Sequence, residues 1–115
     1  MSEPLVITGV SAICALGWER DEIVAAMRDG RECVSTKPAP DWTGRETMTG
    51  AWVRDFKLAP VIPPMKARRM EPSSQMAIVA ADSAIKQAQW DFEQNPSDAL
   101  GIFLGSGFCG THRSL

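Results

Sequence analysis

Two apolar stretches near opposite ends of the chain constrain its fold most. Residues 5–16 read Leu-Val-Ile-Thr-Gly-Val-Ser-Ala-Ile-Cys-Ala-Leu, and residues 100–104 read Leu-Gly-Ile-Phe-Leu. Neither alternates apolar with polar side chains, so neither fits a strand with one wet face. Each reads as a short strand covered on both faces. Val6, Ile7 and Thr8 are β-branched, which favours the pleated form. Gly9 and Gly17 bracket small residues, and Gly105 and Gly107 follow the second stretch at once, as a turn or a close backbone approach requires. Strands of this kind need helices above and below them. An α/β arrangement with parallel pairing through crossover helices is therefore expected. Two or three strands make a poor sheet alone, so the chain is expected to have a partner or to continue.

The segments between supply the helices. Residues 19–29 place Ile23, Ala26 and Met27 on one face, with Glu19, Asp21 and Glu22 at the N-terminal end, where the helix dipole favours anions. Gly30 stands where a left-handed C-terminal cap is wanted. A second, longer helix begins near Pro72, since proline at the first helical position loses no hydrogen bond. Ser73 to Gln89 contains no Gly or Pro, and Ala77, Ala81, Ala84 and Ala88 form a stripe of small side chains for close packing. Residues 31–64 hold Pro38, Pro40, Pro60, Pro63 and Pro64 with Gly44 and Gly50 between. Short extended pieces are expected at 51–53 and 56–58. The whole excursion reads either as an interface loop or as a small hairpin.

Composition narrows the function classes. The 115 residues suit one small domain, and 44% apolar with 23% charged residues is ordinary globular composition. A net charge of −2 and a pI near 5.3 exclude a globally basic nucleic-acid binder but leave room for a local basic patch. No apolar run approaches the roughly 18 residues of a membrane span. The opening Met-Ser-Glu-Pro lacks the basic region of a signal peptide. Cys14, Cys33 and Cys109 form neither an even framework nor a Cys-x-x-Cys pair, which reads as three reduced thiols. A cytoplasmic protein without nucleic-acid or membrane contact is expected.

Three local patterns invite chemistry. Gly105-Ser-Gly-Phe-Cys-Gly110 fits Gly-x-Gly-x-x-Gly after a strand, yet a dinucleotide site also needs a following helix and a distant acidic residue. Cys109 and His112 are too few ligands for zinc, and nothing orients them as a nucleophile pair. No metal and no organic cofactor is expected. Lys66, Arg68 and Arg69 put three cations within four residues, just before the long helix. A solvated turn is the commoner use of such a cluster. Its alternative is a docking patch for an anionic partner, since clustered charge steers encounter.

As an ordered set, these segments resemble the N-terminal part of β-ketoacyl-acyl-carrier-protein synthases, especially the elongating condensing enzymes. Val6-Ile-Thr-Gly-Val-Ser-Ala-Ile-Cys-Ala-Leu-Gly17 is similar to the family's first strand and glycine turn. Ala26-Met-Arg-Asp-Gly-Arg31 is similar to the end of its first helix. Arg68-Arg69-Met70-Glu71 with Gln75-Met-Ala-Ile-Val-Ala-Ala81 is similar to the start of its alanine-rich helix. Leu100 to Gly110 is similar to the strand and glycine turn that follow. The resemblance covers nearly the whole chain, in order and at suitable spacing.

It implies a thiolase-like layered α/β fold built from two similar halves, of which residues 1–115 supply most of the first and none of the second. It implies decarboxylative condensation of acyl and malonyl groups on a carrier protein, in fatty acid or polyketide elongation. There a cysteine takes the acyl chain and two histidines stabilise the developing enolate. The nucleophile motif and both histidines lie in later segments, so the resemblance implies no catalytic residue here and no condensation by this chain alone. It implies that Arg68 and Arg69, with Lys66 beside them, meet the acidic acyl carrier protein. It implies that Phe108 lines an acyl pocket near a dimer interface, formed with the remainder of a synthase or a second synthase-like chain. Ser73 stands where the family often has an aromatic, and Cys109 replaces a turn glycine. These departures fit an alternative: a non-catalytic chain-length-factor-like subunit or an orphan fragment. An independent small α/β binding module is the third reading.

Overall fold

The computed structural model describes residues 2–95 and 100–107. Their elements run α1 (Arg20–Arg28), β1 (Val34–Pro38), a short 3-10 turn (Asp41–Thr43), β2 (Thr47–Ala51), α2 (Pro64–Ala67) and α3 (Pro72–Gln87). They divide into two compact units, one of residues 11–57 and one combining 2–10 with 58–95 and 100–107.

In the 11–57 unit, α1 forms where the amphipathic spacing predicts it. Asp21 and Glu22 occupy its first turn and Arg28 its last, each charge at the dipole end that favours it. Gly30 ends it at φ 63°. Gly30 N–H donates to the Met27 carbonyl at 3.2 Å and Arg31 N–H to that of Ala26 at 2.9 Å, the paired bonds of a Schellman cap. Ala26 is buried and Ile23 half-buried, but Met27, expected on the same inner face, is exposed. Ala26 therefore anchors the helix, with Ile23 partly covered beside it.

The proline-rich excursion contains a hairpin. β1 and β2 pair antiparallel from Val34 opposite Ala51 to Pro38 opposite Thr47. The Thr36 and Thr49 hydroxyls meet across the strands at 2.9 Å. Gly44, at φ 63°, closes the 3-10 turn in the connection. Trp52 lies along the hairpin, its indole N–H donating to the Ser35 carbonyl at 3.4 Å, with Lys37 Nζ 4.8 Å from the ring centre. Of the expected extended pieces, 51–53 touches only the end of β2, and 56–58 is not a strand.

In the other unit, α3 spans nearly the expected residues with Pro72 in its first turn. Val79, 7% exposed, is its buried anchor. Gly9 lies against it: a β-carbon there would run into the Ala84 carbonyl oxygen and stand 3.1 Å from the Ala88 nitrogen. Val10 N–H donates to Gln87 Oε1 at 2.6 Å. Ala77, Ala84 and Ala88 are half-buried, while Ala81 faces water.

Both terminal apolar stretches depart from expectation. Neither forms a strand, and the only paired strands among the described residues are antiparallel, not parallel. Ile7 is 85% exposed and Phe103 98%, with Leu5, Val6, Ile102 and Leu104 also in water. The physical reason is that a strand completes its hydrogen bonds only on neighbouring strands. No such neighbour lies beside these stretches among the described residues.

Candidate functional site

The three predicted cations fall on one short turn. Pro63 and Pro64 lead into it, each with φ fixed by its ring. Lys66 N–H and Ala67 N–H both donate to the Pro63 carbonyl at 3.0 Å, and Arg68 N–H donates to that of Pro64 at 3.2 Å. Arg69 N–H reaches the Lys66 carbonyl at 3.1 Å and Met70 N–H that of Ala67 at 3.0 Å, so the helical winding continues past α2. Ile62 and Ala67 are buried on either side and hold the turn down. Lys66, Arg68 and Arg69 are all exposed.

The Gln75 side chain fastens the turn to α3. Gln75 Nε2 donates to the Ala67 carbonyl at 2.8 Å and to the Met70 carbonyl at 3.2 Å. The Met70 carbonyl thereby gains a donor from the next helix, and the Ala67 carbonyl gains a second beside Met70 N–H. The sequence places the cations before α3, an unfavourable end for positive charge. The structure adds α2, which puts them at the closing end of a helical turn instead. This turn was not anticipated, although Pro63-Pro64 carries its signal: proline at a first helical position rather than loop punctuation.

A second feature lies in the 11–57 unit. A cleft of about 330 Å³ is lined by Cys14 and Cys33, both half-buried free thiols, with Trp18, Arg31 and Arg54 among its other walls. Cys14 and Gly17 exchange backbone hydrogen bonds of 2.8 and 3.2 Å, which closes the turn at its edge. Arg31 Nη2 donates to the Leu16 carbonyl at 3.0 Å and Arg54 Nη2 to Ser35 Oγ at 3.3 Å. Both guanidinium groups therefore brace the walls. Trp18 packs edge-on to Phe56 with ring centres 6.4 Å apart. Among the described residues no three His, Cys, Asp or Glu side chains gather as metal ligands, and no helix is long and apolar enough to cross a membrane. Phe108, Cys109 and His112 lie outside the described residues.

Comparison with known proteins places these features in a family. Residues 2–114 match the family description "Beta-ketoacyl synthase, N-terminal domain". The chain is 32% identical over 112 residues to 3-oxoacyl-acyl-carrier-protein synthase 2 of Staphylococcus aureus, covering 92% of this chain and 26% of that protein. Identity to the protein of the same name from Synechocystis is 24% over 106 residues, again covering 26% of it. The crystal structure of a β-ketoacyl synthase from Burkholderia phymatum superposes with a TM-score of 0.64 at 33% identity, over 81% of this chain and 23% of that one. The chain thus spans about a quarter of the length of the relatives it matches. The shared architecture is the N-terminal portion of a thiolase-like α/β fold.

Proposed function

This chain belongs to the β-ketoacyl synthase family through its N-terminal domain, and we propose that it is the carrier-facing segment of a synthase that elongates fatty acid or polyketide chains. The observation that carries this reading is the turn at Pro63–Met70. Three cations stand exposed on a backbone that is wound, buried at two points and pinned by Gln75. On this reading Lys66, Arg68 and Arg69 receive the acidic acyl carrier protein. Clustered charge of one sign raises the rate of encounter with an oppositely charged partner and orients it on arrival. The carrier then delivers its acyl group on a phosphopantetheine arm.

In this proposal the bond-making groups are contributed by further polypeptide, in the same chain or a second one. A cysteine there takes the acyl group, and histidines assist loss of carbon dioxide from the malonyl unit. Cys14 and Cys33 take no part; they line the cleft of the 11–57 unit instead. Phe108 narrows the acyl pocket, at an interface between two synthase-like chains.

The test uses the protein purified from its own host with any chain that accompanies it. Its binding to immobilised acyl carrier protein is measured at low ionic strength. Arg68→Glu with Arg69→Glu is expected to weaken binding by about 30-fold or more, as paired charge reversals at a steering patch do. Unchanged affinity overturns the docking role.

A further inference from the structure

The exposed turn holds one residue that charge steering leaves unexplained. Met65 is 79% exposed at the head of α2, among the cations. Its position is enforced. Ile62 and Ala67 are buried on either side, and Pro63 and Pro64 fix the backbone that rises between them. Arg68 N–H bonds four residues back to the Pro64 carbonyl and Arg68 keeps helical φ and ψ, while Arg69 N–H bonds three residues back to Lys66 and tightens the end of the turn. On such a winding, positions three and four apart share a face. Met65 therefore shares a face with Arg68, and Lys66 and Arg69 lie within four residues of it.

We propose that Met65 is the apolar anchor of this docking surface, taken up by an apolar side chain that an acidic carrier protein presents between its carboxylates. The inference rests on the carrier-docking reading and adds what charge alone does not supply. Exposed ion pairs each contribute little and fade with salt. An interface of cations only would bring the partner quickly and release it as quickly. A thioether inside a charged rim gains from being shut away from water, and the rim gains from excluding it. Methionine suits this place because its unbranched, polarizable chain adapts to partners of differing shape. The occupant is specified by charge complementarity: three exposed cations lie within four residues of Met65 on a chain whose net charge is −2.

The experiment compares three forms of the host-purified protein against phosphopantetheinylated acyl carrier protein, at about 0.05 M and about 0.5 M salt. Met65→Gln is expected to lose about tenfold in affinity, chiefly through faster dissociation, by a similar factor at both salts. Arg68→Glu with Arg69→Glu is expected to lose mainly at low salt, chiefly through slower association. Met65→Leu is expected to keep affinity within about twofold, since volume and polarity are nearly conserved. Far-ultraviolet circular dichroism checks that each variant keeps its helices. Loss of binding in the arginine variant with Met65→Gln unchanged overturns the anchor and leaves the docking reading standing. Undiminished binding in the arginine variant overturns the docking reading, and the anchor with it.

Discussion

Helix α3 and the terminal apolar stretches carry similar residues and meet opposite fates. The Met76–Ala81 run of α3 is as apolar as Leu5–Ile7 or Ile102–Leu104. The helix satisfies its own backbone within four residues and needs cover on one face only, where Gly9 lies against Ala84 and Ala88 and Val79 is buried. The stretches at 5–7 and 102–104 find no backbone partners among the described residues and stand in water. Apolar content alone thus does not bury a segment. What decides is whether its hydrogen bonds close locally or wait on distant chain.

The sharpest way to break this contrast is a pair of matched substitutions in the full chain. Val79→Asp puts a carboxylate in the buried position of α3 and should cost about 3 kcal/mol or more, read as lost helical circular dichroism or a fallen thermal midpoint. Ile7→Asp, already in water, should stay within about 0.5 kcal/mol. Equal losses would mean that residues 5–7 are covered in solution, and the contrast would fail.

A second test concerns the close approach to α3. Gly9→Ala drives a β-carbon into backbone atoms of Ala84 and Ala88, which cannot swing aside, and should cost about 1–3 kcal/mol in denaturant unfolding. Gly17→Ala serves as its control. There the three nearest atoms to the added carbon all belong to the flexible Glu22 side chain rather than to backbone, so a smaller loss is expected. The smallest effect belongs to the turn. Gln75→Ala removes two hydrogen bonds and should cost about 1 kcal/mol, with faster amide exchange at Arg69 and Met70 as the readout. Unchanged exchange would show that α2 holds without α3.

What could be read from the sequence follows the same division. Helices α1 and α3 were legible because their periodicity and caps are local. Gly30 announces the left-handed end of α1. The same cap at α3 could not be read, because Gln89 adopts φ 53° without being glycine. Its N–H donates to the Lys86 carbonyl at 3.1 Å while Trp90 N–H donates to that of Ile85 at 3.3 Å. The hairpin was visible only as one of two alternatives. β1 and β2 alternate no apolar face, and their register depends on cross-strand pairs such as Thr36 with Thr49. The terminal stretches carry the pattern of buried strands, which presumes neighbours that residues 2–95 and 100–107 do not provide. Lys66, Arg68 and Arg69 were legible as a cluster. Their support was not, because the Gln75 bonds to Ala67 and Met70 span a turn that no spacing rule describes.

The exposed apolar stretches also set a clock. During synthesis, residues 5–7 leave the ribosome well before residues 102–104, by an interval on the order of ten seconds at ordinary elongation rates. For that time the earlier stretch is open to chaperones and to the nascent chains of neighbouring ribosomes. No neighbouring strand covers that stretch among the described residues even once residues 102–104 have emerged, so its apolar surface persists as a site of association, and a polar residue at Ile7 should raise soluble yield.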